Sequence, residues 1–145
     1  MRDLCELLEA HGVAAPAPIE QRWTSSSSAP MSPAHSANPA DVHSWVGIIM
    51  YLPTEDPATR DAIAAAFREY AALCERSLLP KYGAKWHWAK LEPGSDPARQ
   101  RWVQSHLATH YPVDQFATLR HSLDPDNNFG NDWLNAILPL PRKPL

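Results

Sequence analysis

Glu20 and Arg22 lie two positions apart in Ile19-Glu20-Gln21-Arg22-Trp23-Thr24, a segment that reads as a strand. On a strand, side chains at i and i+2 project to one face, so a carboxylate acceptor and a planar donor fork are presented together. Left to itself, such a pair closes as a salt bridge on a solvated sheet face, worth about 0–1 kcal/mol. Lys90 sits in a second alternating segment, 85–91, where Trp86, Trp88 and Lys90 share one strand face and His87 and Ala89 take the other. That placement suits an exposed strand-end lysine. It makes Trp86 and Trp88 packing residues, and His87 a packed or hydrogen-bonded residue rather than a base. His106 and His110 are spaced i, i+4 on one helix face, which is metal-ligand geometry, but no third ligand is apparent. Cys5 and Cys74 make neither a disulfide framework nor a zinc site.

The elements that must position these residues follow from pattern and punctuation. Leu4, Leu7 and Leu8 fall at helical spacing, with Gly12 as a stop. Four consecutive serines and Pro30, Pro33 and Pro39 make 25–40 a loop, and the β-branched, aromatic run 45–51, bounded by Pro53, reads as a central strand. Asp56-Pro57 is an N-cap followed by proline in the first turn; Ile63, Phe67, Tyr70, Cys74 and Leu78 then trace one face of a helix reaching about Leu79, before Pro80. Asp96-Pro97 repeats the signal and opens a helix through Val103 and Leu107 to about His110. A last short helix carries Phe116, Leu119 and Leu123 and stops at Asp124-Pro125. The expected class is α+β, a mainly antiparallel sheet covered by helices. Glu20, Arg22 and Lys90 are expected on neighbouring strands, converging on one side of that sheet.

Composition removes several functions. The five glycines, Gly12, Gly47, Gly83, Gly94 and Gly130, are too dispersed for G-x-G-x-x-G or a P-loop, so this chain alone is expected to hold neither a dinucleotide nor ATP. A net charge of −3 provides no field for a nucleic-acid backbone. The longest apolar run, 46–52, falls far below a membrane span. Residues 1–12 mix Arg2 with Asp3, Glu6 and Glu9, unlike a presequence or a secretory signal. Any targeting is therefore expected to have been removed or to lie outside these residues. Fifteen prolines, about twice the usual share, interrupt 145 residues of otherwise globular composition.

Four blocks carry a resemblance: P-A-P-I-E-Q-R-W at 16–23, W-V-G-I-I-M-Y-L-P-T at 45–54, W-H-W-A-K-L-E at 86–92, and Y-P-V-D-Q-F…L-R…L-D-P…F-G-N across 111–131. From about 14 to 134 the chain resembles the C-terminal quarter of the plant and algal L-galactono-1,4-lactone dehydrogenases, aldonolactone oxidases of the vanillyl-alcohol oxidase flavoprotein superfamily. The first two blocks are close to specific for the plant type. H-W-x-K and L-D-P…F-x-N recur more widely in the family.

The resemblance implies that residues 1–110 belong to the cap, or substrate, domain and 111–145 to a segment returning to the FAD side, with the FAD domain itself absent. It implies that Glu20 and Arg22 descend from a pair gripping the sugar lactone beside the flavin. Lys90 then corresponds to a lysine that balances charge on the reduced flavin. The family's reactive thiol lies upstream, so neither Cys5 nor Cys74 inherits it. No flavin is expected on this chain alone; FAD would come from a partner.

Two roles follow. In the one ranked narrowly first, the chain is a docked accessory subunit of mitochondrial respiratory complex I, peripheral at the inner membrane and without its own redox chemistry. In the other it is the substrate half of a split lactone dehydrogenase, with hydride passing from the lactone carbon to flavin N5. Either role needs a protein partner and no nucleic acid. The expected contact is the tryptophan-bearing sheet face with the apolar residues Phe129, Trp133, Leu134, Ile137 and Leu138.

Overall fold

The computed structural model describes residues 1–139 and divides into two compact units, one of residues 1–26 and 40–84, the other of residues 27–39 and those from 85 onward. In the first, α1 (Arg2–Ala10) precedes strands β1 (Glu20–Ser25) and β2 (Val42–Gly47), then α2 (Pro57–Ser77) and the one-turn α3 (Leu79–Tyr82). In the second, a 3-10 turn (Trp88–Lys90) is followed by α4 (Pro97–His110), α5 (Val113–Leu123) and α6 (Asp132–Ile137). The class is α+β, and the sheet of the described residues is the antiparallel pair β1–β2.

The helix starts follow the expected chemistry. The Asp56 carboxylate accepts the Thr59 N–H at 2.9 Å and the Asp96 carboxylate accepts the Ala98 N–H at 2.9 Å, each with proline at the first helical position. Asp96→Ala should therefore cost about 1 kcal/mol, read as a lower urea midpoint with an unchanged slope. On α2 the expected face is used: Tyr70 and Cys74 are buried together with Leu73, and Phe67 meets Tyr70 edge to face at 6.2 Å. From α1, Leu4 and Leu8 are buried, while Asp3 accepts from Lys81 and from the Tyr82 hydroxyl at 2.8 Å, which ties α1 to α3. Those two donors hold the Asp3 carboxyl below the usual carboxylate range. Gly83 ends α3 in the left-handed region at φ 55°, open to glycine without steric cost.

The second unit has its own core of Leu91, Val103, Leu107, Tyr111, Ile137 and Leu138, joining residues on both sides of position 110. Trp86, Trp88, Trp102 and Trp133 pack against it. Two of their indoles reach backbone carbonyls, Trp88 to Met31 at 2.9 Å and Trp133 to Leu91 at 3.1 Å.

Four expectations are corrected. Segment 85–91 is not a strand: the Trp86 N–H goes to His106, the Trp86 carbonyl accepts the Tyr111 hydroxyl at 3.0 Å, and His87 Nδ1 accepts the Ala89 N–H at 3.2 Å. Side chains thus take the backbone groups a sheet ladder would use, and the chain turns. The strand expected at 45–51 lies at Val42–Gly47, because its partner Glu20 follows Pro16 and Pro18, and proline has no N–H to extend a ladder. Pro80 stands inside the first turn of α3 instead of ending α2. The expected partner-facing cluster at 129–138 is largely internal: Ile137 and Leu138 are buried, Trp133 and Leu134 pack on the same core, and Phe129 alone stays open, at 87% exposure. Asn131 initiates α6 there, its side chain accepting the Leu134 N–H at 2.7 Å.

Candidate functional site

The two-stranded sheet presents the Glu20–Arg22 pair as the spacing requires. Register pairs Glu20 with Gly47, Arg22 with Trp45 and Thr24 with His43, so these six residues share one face. Arg22 Nε lies 3.4 Å from Glu20 Oε1, with the side chains 67% and 52% exposed. Both ends of the pair are therefore reachable by a ligand, and water weakens their mutual attraction. On the partner strand, the Trp45 indole donates to Thr24 Oγ1 at 2.7 Å. The other face carries Gln21, which donates to Ser44 Oγ at 3.0 Å, and Trp23. No residue of either strand is buried.

Lys90 does not stand on a strand. It ends the 3-10 turn of the second unit and is exposed, and Trp86 and Trp88 face their own core rather than sharing a sheet face with it. His87, hydrogen-bonded to Ala89, caps that turn.

His106 is a structural residue. Its Nε2 accepts the Trp86 N–H at 3.3 Å and its ring stacks on Trp102 at 5.1 Å, with His110 beyond it at 4.6 Å. The lone pair a metal would need is thus already engaged, and the described residues contain no group of three or more His, Cys, Asp or Glu suited to a metal ion. Burial, then His110 and Arg99, push the His106 pKa down to about 4. Because the folded value lies below the ordinary value of about 6.5, its contribution to stability is complete above pH 6.5. That contribution drains away as the pH falls towards 4. Thermal unfolding followed across this window should show the decline, and His106→Gln, which keeps an acceptor but does not ionise, should flatten it.

Cys74 is buried and its thiol is pushed up to about 11 by burial, so it is no nucleophile at neutral pH; Cys5 is exposed.

The L-R…L-D-P…F-G-N block forms a clamp on the last helix. Arg120 donates to the Leu138 carbonyl at 2.9 Å, to Asn127 Oδ1 at 2.6 Å and to Asn135 Oδ1 at 2.7 Å. Asp124, buried, accepts the Asn128 N–H at 2.7 Å and the Phe129 N–H at 2.9 Å, and these donors hold its carboxyl below the usual range. Asn127 takes the left-handed conformation at φ 56°, which asparagine tolerates better than most residues.

Sequence reasoning missed Trp45, Thr24 and His43 as neighbours of the pair. Antiparallel pairing of the two strands, counted from Glu20 opposite Gly47, is the signal that places them.

The D-arabinono-1,4-lactone oxidase family model matches residues 1–137, and the chain belongs to that family. It is 40% identical over 140 residues to "L-galactono-1,4-lactone dehydrogenase, mitochondrial" of Arabidopsis thaliana, covering 97% of this chain and 23% of that protein. The Brassica oleracea protein of the same name is 41% identical, with coverage of 97% and 23%. "L-galactono-1,4-lactone dehydrogenase 1, mitochondrial" of Oryza sativa subsp. japonica is also 41% identical, with coverage of 97% and 24%. The chain thus spans about a quarter of the length of these relatives and corresponds to their C-terminal portion. No helix among the described residues is long and apolar enough to cross a membrane.

Proposed function

We propose that this chain supplies the substrate-gripping side of an L-galactono-1,4-lactone dehydrogenase site, completed by a flavin-binding polypeptide lying outside these residues. The observation that carries the reading is the Glu20–Arg22 pair, intact and open on one sheet face. A sugar lactone offers hydroxyls as donors and carbonyl and ring oxygens as acceptors. Glu20 accepts from the hydroxyls and Arg22 donates to the oxygens, fixing the lactone's orientation before chemistry.

A flavin brought by another polypeptide is supported by the glycines of the described residues: Gly12, Gly83 and Gly94, each at positive φ, stand singly in the chain and not in a glycine-rich loop of the kind that cradles a pyrophosphate. Residues 1–110 then serve the substrate domain and 111–145 the return towards the flavin side, the described part of which the Arg120–Asp124 clamp holds. The names of the relatives support a mitochondrial location; a peripheral position at the inner membrane rests on the resemblance alone. Lys90 is retained as a candidate for charge balance on resemblance alone.

A second reading, a docked accessory subunit of respiratory complex I without redox chemistry, draws support from the exposed Leu119, Leu123 and Phe129, an apolar set suited to a protein partner. The open Glu20–Arg22 pair favours the first. A photo-crosslinker at Thr24, on the same face, separates them in the assembled protein. The lactone reading expects capture of the flavin-bearing polypeptide. Capture of a complex I subunit at that position would transfer the case to the accessory reading, and a face open to water in the assembly would defeat both.

A further inference from the structure

The face that holds Glu20 and Arg22 has more chemistry on it than that pair. Trp45 stands directly across from Arg22, half-buried, its indole N–H fixed on Thr24 Oγ1 at 2.7 Å. Gly47 stands across from Glu20, and a Cβ built there would lie 3.5 Å from Glu20 Oε2, so the absence of a side chain keeps the carboxylate uncovered on that side. His43, across from Thr24, completes the row, with a buried Nε2 that has no hydrogen-bond partner among the described residues.

A sugar lactone has two kinds of surface. Its oxygens need charged and hydrogen-bonding partners, while the C–H bonds of its ring faces are apolar and carry slight positive charge. The face of an indole is apolar with negative charge density, which matches the second kind, and pockets for small molecules join such a wall to a few polar groups. A ring anchored at its N–H by Thr24 is already oriented, so little side-chain freedom is lost when a ligand lies against it.

We propose that Trp45 is a third substrate contact, its indole lying against a C–H face of the sugar lactone whose oxygens Glu20 and Arg22 hold. The proposal rests on the lactone reading above and adds to it the residue that reads the ring itself.

The test uses the flavin-containing protein that includes or assembles with this chain. Trp45→Ala should raise KM for L-galactono-1,4-lactone about tenfold, the scale of a lost aromatic contact, with kcat changed less than about twofold. Trp45→Phe should recover most of the loss. Independently of turnover, the indole N–H resonance of Trp45, assigned by its disappearance in Trp45→Phe, should shift when the lactone is titrated into that same flavin-containing protein. Should Trp45→Ala fail to fold, Trp45→Leu keeps apolar bulk without the π face and carries the same expectation. Unchanged KM at position 45 with raised KM in Arg22→Gln overturns the assignment of Trp45 alone. Unchanged KM at position 45 together with unchanged kcat/KM in Arg22→Gln overturns the lactone reading itself.

Discussion

Arg22→Gln, introduced into the flavin-containing protein, should lower kcat/KM for L-galactono-1,4-lactone by about 100-fold while leaving the unfolding midpoint where it was. The two halves of that expectation come from one observation. The Arg22–Glu20 contact at 3.4 Å is open to water on both sides, so as a fold element it is worth about 0–1 kcal/mol. On the lactone reading, the same guanidinium would make charge-assisted bonds to a bound lactone shielded from water, and losing such a contact costs about 2–3 kcal/mol, or roughly two decades in rate. Arg22→Lys keeps the charge without the planar fork and should fall between. Glu20→Gln should act mainly through the lactone hydroxyls and raise KM. Steady-state kinetics beside a denaturation curve checks both halves. A variant that loses stability and activity in proportion would show the pair to be structural.

Arg120→Ala should do the reverse, costing about 2–4 kcal/mol of stability in the second unit before any effect on lactone handling. Its guanidinium serves three acceptors, on Leu138, Asn127 and Asn135. Truncation strands the Leu138 carbonyl and Asn127 Oδ1 in a part-buried setting and leaves Asn135 Oδ1 only the 3.4 Å contact from Asn127 Nδ2; an acceptor without a donor there loses its solvation unreplaced. Gly130→Ala should push in the same direction, since a Cβ there would collide with the Asn127 side-chain amide that Arg120 holds. The two changes strike one network, so their combination should cost less than the sum of the separate losses. Urea unfolding of the single and double variants measures this. Additive losses would mean that the clamp is not a unit.

The residues that were legible in the sequence are those whose roles are local. Asp56-Pro57 and Asp96-Pro97 act within one helical turn, and Glu20 and Arg22 share a face because a strand repeats every two residues. The segment 85–91 was not legible, because its alternation is genuine and the groups that overrule it, His106 and Tyr111, arrive from α4 and the residue after it. Lys90 lost its expected strand for the same reason. The cluster at 129–138 read as apolar without revealing which protein surface it met. That choice was made by Val103 and Leu107, some 30 residues away, which accept Ile137 and Leu138 into their own core. Trp45 was legible as a strand residue but not as a neighbour of Arg22, since that relation exists only once β1 and β2 are paired.

A structure of the flavin-containing protein with L-galactono-1,4-lactone bound tests the account most directly. Lactone oxygens are expected within about 3.2 Å of the Arg22 guanidinium and the Glu20 carboxylate, on the sheet face shared with Trp45. A lactone held by other residues, with Arg22 still closed on Glu20 or covered by a different subunit, would contradict it.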